Sequence, residues 1–154
     1  MATFERRIPG FLISTDKQLL RLDAIHNFLS KEAYWCLGIP RAVVARAMDT
    51  SLCFGLYRTG AEGLRQVGFA RVVTDHATFA WICDVYIEEA FRRQGLSKWL
   101  MKSVMENPSL KGLRRVCLAT KDAHSLYRPL GFEVTASPQN WMEIKDNEIY
   151  RKQP

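Results

Sequence analysis

One stretch constrains this chain more than any other: WICDVYIEEAFRRQGLSKWLMKSVMEN, from Trp81 to Asn107. Its first seven residues are apolar, aromatic and β-branched, with Ile82, Val85 and Ile87 beside Trp81 and Tyr86, as in a buried strand. An acidic turn (Glu88 to Ala90) and a basic glycine loop (Arg92 to Ser97) follow. From Leu96 the period changes. Leu96, Trp99, Leu100, Ser103 and Val104 share one helical face, and Asn107-Pro108 stops the helix. A strand that feeds a glycine turn and then a helix presents free amides and the positive helix end to the turn, which suits an anion.

The rest of the chain reads around that unit. Arg6, Arg7 and Pro9-Gly10 predict a frayed start, followed by a short strand over Phe11 to Ser14. Helical spacing predicts a helix over Leu19 to Ser30 and a second after Pro40. Ser51 to Arg58, Arg65 to Thr74 and Thr78 to Ile87 predict an antiparallel meander, with Gly68 marking a bulge or a close backbone approach. Arg114 to Ala119 follows a strand–helix crossover and should lie parallel to the strand before it. Asp122 is the expected cap of a short helix, Ala123 to Arg128, which Pro129 and Gly131 end. Two final strands are expected at Phe132 to Thr135 and Trp141 to Ile144, then a polar tail from Asp146 to Pro154. The class is α+β: a mixed, mostly antiparallel sheet of six to seven strands with about four helices, in one domain over residues 1–154 with its core at about 11–144.

Composition excludes some functions. The longest apolar runs are too short to span a bilayer, and no charged-then-apolar leader opens the chain, so a cytoplasmic protein is expected. Cys36, Cys53, Cys83 and Cys117 have no metal-ligand spacing and read as small buried hydrophobes, not as a metal site or disulfides. The net charge is +6, shared evenly between the halves, yet Arg92 to Arg115 holds seven Lys/Arg and one acid. Such a run is usually a solvated face. The adjoining glycine loop favours a phosphate-bearing small ligand. Nucleic acid is disfavoured because no aromatics recur at stacking spacing along a strand pair and the charge is modest, and no P-loop pattern is present.

Two motifs carry a resemblance. Arg92-Arg93-Gln94-Gly95-Leu96-Ser97 follows the middle strand, and Leu126-Tyr127-Arg128-Pro129-Leu130-Gly131-Phe132 follows the next. In this order and on these elements the chain resembles the GCN5-related N-acetyltransferases from about Phe11 to Ile144, most of all small bacterial members of unassigned substrate. Ser97 departs from the usual Gly or Ala, and its small hydroxyl should still admit a phosphate.

The resemblance implies a sheet splayed at its centre and acetyl-CoA as cosubstrate. It implies that amides of Arg93, Gln94, Gly95, Leu96 and Ser97 hold the pyrophosphate, with Arg92 adding charge. The strand edge at Val85, Tyr86 and Ile87 would pair with the pantetheine arm. Thr120, His124 and Tyr127 would neighbour the thioester. Tyr127 becomes the candidate general acid, since a phenol near pKa 10 stays protonated at neutral pH. Asp84, a charge inside an apolar strand, becomes a candidate base, direct or through water; pairing with an arginine or orienting the acceptor are the other readings. His26, Tyr34, Trp35 and Asp84 are candidate acceptor contacts, with Trp141 a further aromatic. His76 reads as a turn residue. The implied activity is acetyl transfer to a primary amine in a ternary complex, against a non-catalytic acyl-CoA sensor as the alternative. A homodimer would be in keeping with the family, though no patch in the sequence specifies one.

Overall fold

The computed structural model describes residues 1–152, so the last two residues of the expected polar tail lie outside the described residues. Six strands form one sheet in the order β1-β2-β3-β4-β5-β6. They are β1 (Glu5–Ile8), β2 (Phe11–Ser14), β3 (Leu52–Gly60), β4 (Gly63–Thr74), β5 (Phe79–Ile87) and β6 (Arg115–Leu118). All neighbours are antiparallel except β5 and β6, which run parallel. The helices are α1 (Leu22–Lys31), α2 (Arg41–Asp49), α3 (Leu96–Glu106) and α4 (His124–Tyr127). The meander, the α3 crossover and the parallel β6 fall where the sequence put them.

The sheet separates two cores. On one face α3 lays Leu96, Leu100, Met101 and Val104 over Phe54, Leu56, Val72 and Ile82. On the other, α1 and α2 set Ile25, Phe28, Leu29 and Val44 against Cys53, Phe69 and Tyr86. The Phe28 ring stacks flat on Tyr86, with centroids 3.8 Å apart and planes 8° from parallel, which fixes α1 over the end of β5.

Two bulges shape the sheet. In β4 the pairing skips Val67, between Tyr57↔Gln66 and Leu56↔Gly68. A Cβ on Gly68 would lie 2.9 Å from Ile87 Cδ1 and 3.0 Å from the Tyr86 carbonyl oxygen. The glycine therefore marks both a bulge and a close approach. In β5 the partners run Phe69↔Tyr86 and then Arg71↔Cys83, so Asp84 and Val85 together oppose Ala70. Asp84 takes φ +52°, a left-handed conformation that aspartate tolerates better than most residues. The extra residue keeps Cys83 and Tyr86 on the same face and turns Val85 and Ile87 toward α3.

Four expectations differ. Residues 5–8 are not a frayed start but an edge strand, joined to β2 by the tight Pro9-Gly10 turn, with Phe4 packed on the core. Phe132 to Thr135 and Trp141 to Ile144 are irregular, because an extended segment becomes a strand only with a ladder partner, and β6 pairs with β5 alone. Asp122 does not cap α4; Thr120 Oγ1 accepts the Ala123 amide at 3.0 Å instead. The first helix starts at Leu22, after a single 3-10 turn over Lys17–Leu19. No helix among the described residues is long and apolar enough to cross a membrane.

Two substitutions test this packing. Gly68→Ala should cost about 1–3 kcal/mol, because the Tyr86 carbonyl and Ile87 cannot both retreat. Tyr57→Phe should be neutral or stabilising by up to ~1 kcal/mol, because the Tyr57 hydroxyl is buried with no hydrogen-bond partner. Urea denaturation of both variants gives the comparison. A stable Gly68→Ala protein or a weakened Tyr57→Phe protein would refute it.

Candidate active site

The site begins where β5 and β6 part. Their pairing runs from Phe79↔Arg115 to Ile82↔Leu118 and then stops. From Cys83 onward the edge of β5 facing β6 has no strand beside it. The bulge at Asp84 stands directly past the last pair, so the divergence and the change of face share one cause.

At the far end of β5 the chain enters the glycine loop. Arg93 has φ +64° and Gly95 φ +80°, two left-handed residues on either side of Gln94. Alternation of this kind turns successive amides inward and makes an anion-binding concavity. Gly95 caps α3, and its carbonyl accepts the Trp99 amide at 3.1 Å. The amides of Leu96, Ser97 and Lys98 are the unpaired donors of the first turn. Arg93 and Lys98 make no ion pair among the described residues, whereas Arg92 is committed: its Nε donates to the Ile87 carbonyl at 2.8 Å. Arg92 Nε thus ties the strand end to the loop without neutralising its charge, and Arg93 and Lys98 add positive charge beside it. This set fits a pyrophosphate, and the open β5 edge fits an extended chain with amides.

On the α1–α2 side of the sheet lies a cavity of about 270 Å³. Asp84 and Arg71 meet in its wall, Nε to Oδ2 at 2.7 Å, with side chains only 11% and 18% exposed. The Trp35 indole donates to the other carboxylate oxygen at 3.1 Å, and Arg71 also donates to Ser51 Oγ at 3.1 Å. Burial works against the Arg71 charge, but the Asp84 carboxylate outweighs it and raises the guanidinium pKa. Both oxygens of Asp84 therefore carry a hydrogen bond. Cys36 and Cys83 line the same cavity, and burial pushes both thiols up to about 12, so they are neutral at physiological pH.

A second cavity, about 390 Å³, runs beside β6 and holds Thr120, His124 and Tyr127. Trp81 lines both cavities. Tyr127 is buried and packs edge-to-face on Phe132 at 5.9 Å. Burial, and then Tyr34, raise the pKa of its phenol, so it stays protonated well above neutral pH. The α1–α2 loop closes over the divergence: Tyr34 packs edge-on against Trp35, and the Lys121 ammonium lies 5.8 Å from the Tyr34 ring. A third hollow, about 450 Å³ around Lys17, Asp49 and His76, lies away from the β5–β6 divergence and holds none of these groups.

Several expected acceptor contacts are not brought together. His26 lines neither cavity; its Nε2 is 3.0 Å from the Ile39 carbonyl, where it ties α1 to the following loop. Tyr34 is exposed on the rim, and Trp141 lines the β6 cavity, not the Asp84 one. The sequence reading missed Arg71. Its signal was an arginine between Phe69 and Val73 on an otherwise apolar strand, with an aspartate in the strand that follows. Tyr150, Met48 and Trp81 were also missed as cavity walls.

The sequence pattern of the Acetyltransferase (GNAT) domain matches residues 60–134. A solved structure from Xanthomonas campestris pv. campestris, described as belonging to the GNAT family, is 46% identical, with TM-score 0.87, covering 94% of this chain and 99% of that one. The chain belongs to the GNAT acetyltransferase family. The Gibberella zeae protein FG08082, which carries an acetyltransferase name, is 37% identical over 135 residues, 76% of this chain and 75% of that one. The chloroplastic GCN5-related N-acetyltransferase 1 of Arabidopsis thaliana is 28% identical over 80% of this GNAT chain, which spans 61% of the plant protein. GNAT-fold proteins use acetyl-CoA as cosubstrate, and the amide nest and open strand edge described above fit it.

The Asp84–Arg71 pair can be tested as a unit. Asp84→Asn or Arg71→Met alone should cost about 3–5 kcal/mol, because each leaves a buried charge without its partner. The double variant should cost clearly less than the sum of the two. Additive losses in denaturant unfolding would show that the two groups act separately.

Proposed function

We propose that this protein transfers the acetyl group of acetyl-CoA to a primary amine by direct attack in a ternary complex. The observation that carries the reading is the continuity of three features: an amide nest at Arg93–Ser97, an unpaired β5 edge past Ile82, and a buried, protonated Tyr127 beyond the divergence. The cosubstrate supplies an activated acyl group on sulfur. The nest amides and Arg93 hold its pyrophosphate, and Val85 to Ile87 offer backbone groups to the pantetheine arm. Tyr127 gives a proton to the departing sulfur as the nitrogen–carbon bond forms and the carbon–sulfur bond breaks, and the proton that the acylated nitrogen then sheds passes to water, from which the phenol is restored.

Asp84 serves as an orienting group. Both oxygens already accept hydrogen bonds, yet each keeps a lone pair with which to attract an ammonium. The amine gives up its proton to water at the mouth of the cavity before attack. The Asp84–Arg71 pair is neutral overall, and beside it the lining includes the apolar and aromatic side chains of Trp35, Trp81, Met48 and Phe69. A cavity of about 270 Å³ with this lining suits a compact amine with one positive charge and an apolar body, in preference to a polycation.

Tyr127→Phe should lower kcat by about 100-fold or more while acetyl-CoA affinity by calorimetry stays within a few-fold. In the native protein, the raised phenol pKa keeps the acid form through neutral pH, so the alkaline loss of kcat should appear only above about pH 10, the unperturbed value. Unchanged kcat in the variant would remove the acid role. Absence of both heat-stability gain and calorimetric binding with acetyl-CoA would remove the whole reading.

A further inference from the structure

All but one of the residues that line the cavity around Asp84 come from its frame: α1, α2, the loop between them, β4 and β5. The exception is Tyr150. It arrives from outside that frame. The chain leaves Trp141, which walls the β6 cavity with its ring 5.3 Å from the Arg115 guanidinium, and reaches Tyr150 through the exposed Met142 and Ile144. Trp81 lines both cavities, so this span runs from one to the other of two adjoining chambers.

Residues 146–152 form a turn bonded to itself. The Glu148 amide donates to Asp146 Oδ1 at 2.8 Å, Arg151 donates to Glu148 Oε2 at 2.9 Å, and Lys152 donates to Asp146 Oδ2 at 2.9 Å. The amides of Ile149, Arg151 and Lys152 also bond to carbonyls within the turn. Among the described residues, no hydrogen bond or ion pair joins this turn to the rest of the protein. Ile149 is exposed, whereas Tyr150 packs on the core of α1 and α2. The turn is therefore a compact unit seated by one aromatic ring, and that ring's oxygen is turned to the cavity. Burial, then Cys36 and Asp84, raise the phenol pKa while Arg71 lowers it, and all three residues line the cavity. Shortening the ring opens the cavity and leaves its frame intact.

We propose that Tyr150 is the end wall of the acceptor cavity and sets the length of the amine it admits, an inference that rests on the acceptor role given to this cavity above. An amine whose ammonium sits at Asp84 lays its body along Trp35, Trp81 and Met48. A short body ends before Tyr150. A longer one meets the ring and is excluded. Rejection of one methylene too many by such a wall is worth about tenfold or more. The frame residues fix the charge and the apolar character of the acceptor, and Tyr150 fixes its reach.

The cysteines report on the wall separately. Cys36 and Cys83 line this cavity, Cys117 lines the β6 cavity, and Cys53 lines the hollow around Lys17. With methyl methanethiosulfonate as reagent and peptide mapping by mass spectrometry, Tyr150→Ala should label at Cys36 and Cys83 at least about tenfold faster than the native protein, with unchanged rates at Cys53 and Cys117. Tyr150→Phe should match the native protein throughout. Admission of an amine is read without turnover from the Trp35 indole signal by NMR, since that N–H donates to Asp84. Propylamine should shift the signal in all three proteins, and octylamine only in Tyr150→Ala. Equal labelling of Tyr150→Ala and native protein would overturn the wall. An octylamine shift in the native protein equal to that of propylamine would overturn the length limit. Failure of the acceptor reading looks different: the thiols are unmasked, yet neither amine shifts the indole in any of the proteins, and that result overturns the length limit with it.

Discussion

The extra residue in β5 is the constraint on which the rest of this structure depends. Without it, β5 would continue its alternation past Ile82. With it, Asp84 stands out of the ladder at φ +52°, the β5–β6 pairing ends at Ile82↔Leu118, and the sheet opens. A left-handed non-glycine residue costs on the order of 1 kcal/mol or more. The surroundings over-determine it: Arg71 and Trp35 each hold one carboxylate oxygen, and the Phe28–Tyr86 stack clamps the strand two residues later. The same ion pair that stabilises the bulge also furnishes the polar floor of the proposed acceptor cavity.

That arrangement separates binding from chemistry. Under the proposed function the loop at Arg93–Ser97 holds a diphosphate through backbone geometry, with which Ser97 in place of a smaller residue is compatible. Arg92, equally basic in sequence, also donates from Nε to the Ile87 carbonyl and so ties the loop to the strand end. Tyr127 and Asp84 line adjoining cavities on either side of Trp81. Under the proposed function the acyl group bridges them, with the acid on the leaving-group side and the ammonium-orienting pair on the acceptor side.

Much of this was legible in the sequence because local rules agreed with the global fold. The α3 helix from Leu96 to Glu106 has an apolar face, a left-handed glycine before it and a proline after it, and the structure keeps those bounds. The strand–helix–strand handedness rule alone set β6 parallel to β5. What escaped depended on contacts between distant residues. Nothing local to Asp84 announces a bulge, since the extra residue is visible only against the partner register. His26 looked like a pocket histidine because its helix walls the cavity, and only the Ile39 carbonyl reveals its structural bond. Phe132 to Thr135 and Trp141 to Ile144 have strand character but no ladder partner among the described residues, and propensity cannot supply one.

The central claim is that the bulge-opened edge of β5 and the nest beyond it form one continuous acetyl-CoA track. Backbone amide NMR during acetyl-CoA titration tests it most directly. The account predicts that the amides of Arg93 to Ser97 and of Val85 to Ile87 shift together, with the same saturation, while those of β1 and β2 stay still. Shifts confined to the 450 Å³ hollow around Lys17 and His76, or a nest that responds without the β5 edge, would contradict it.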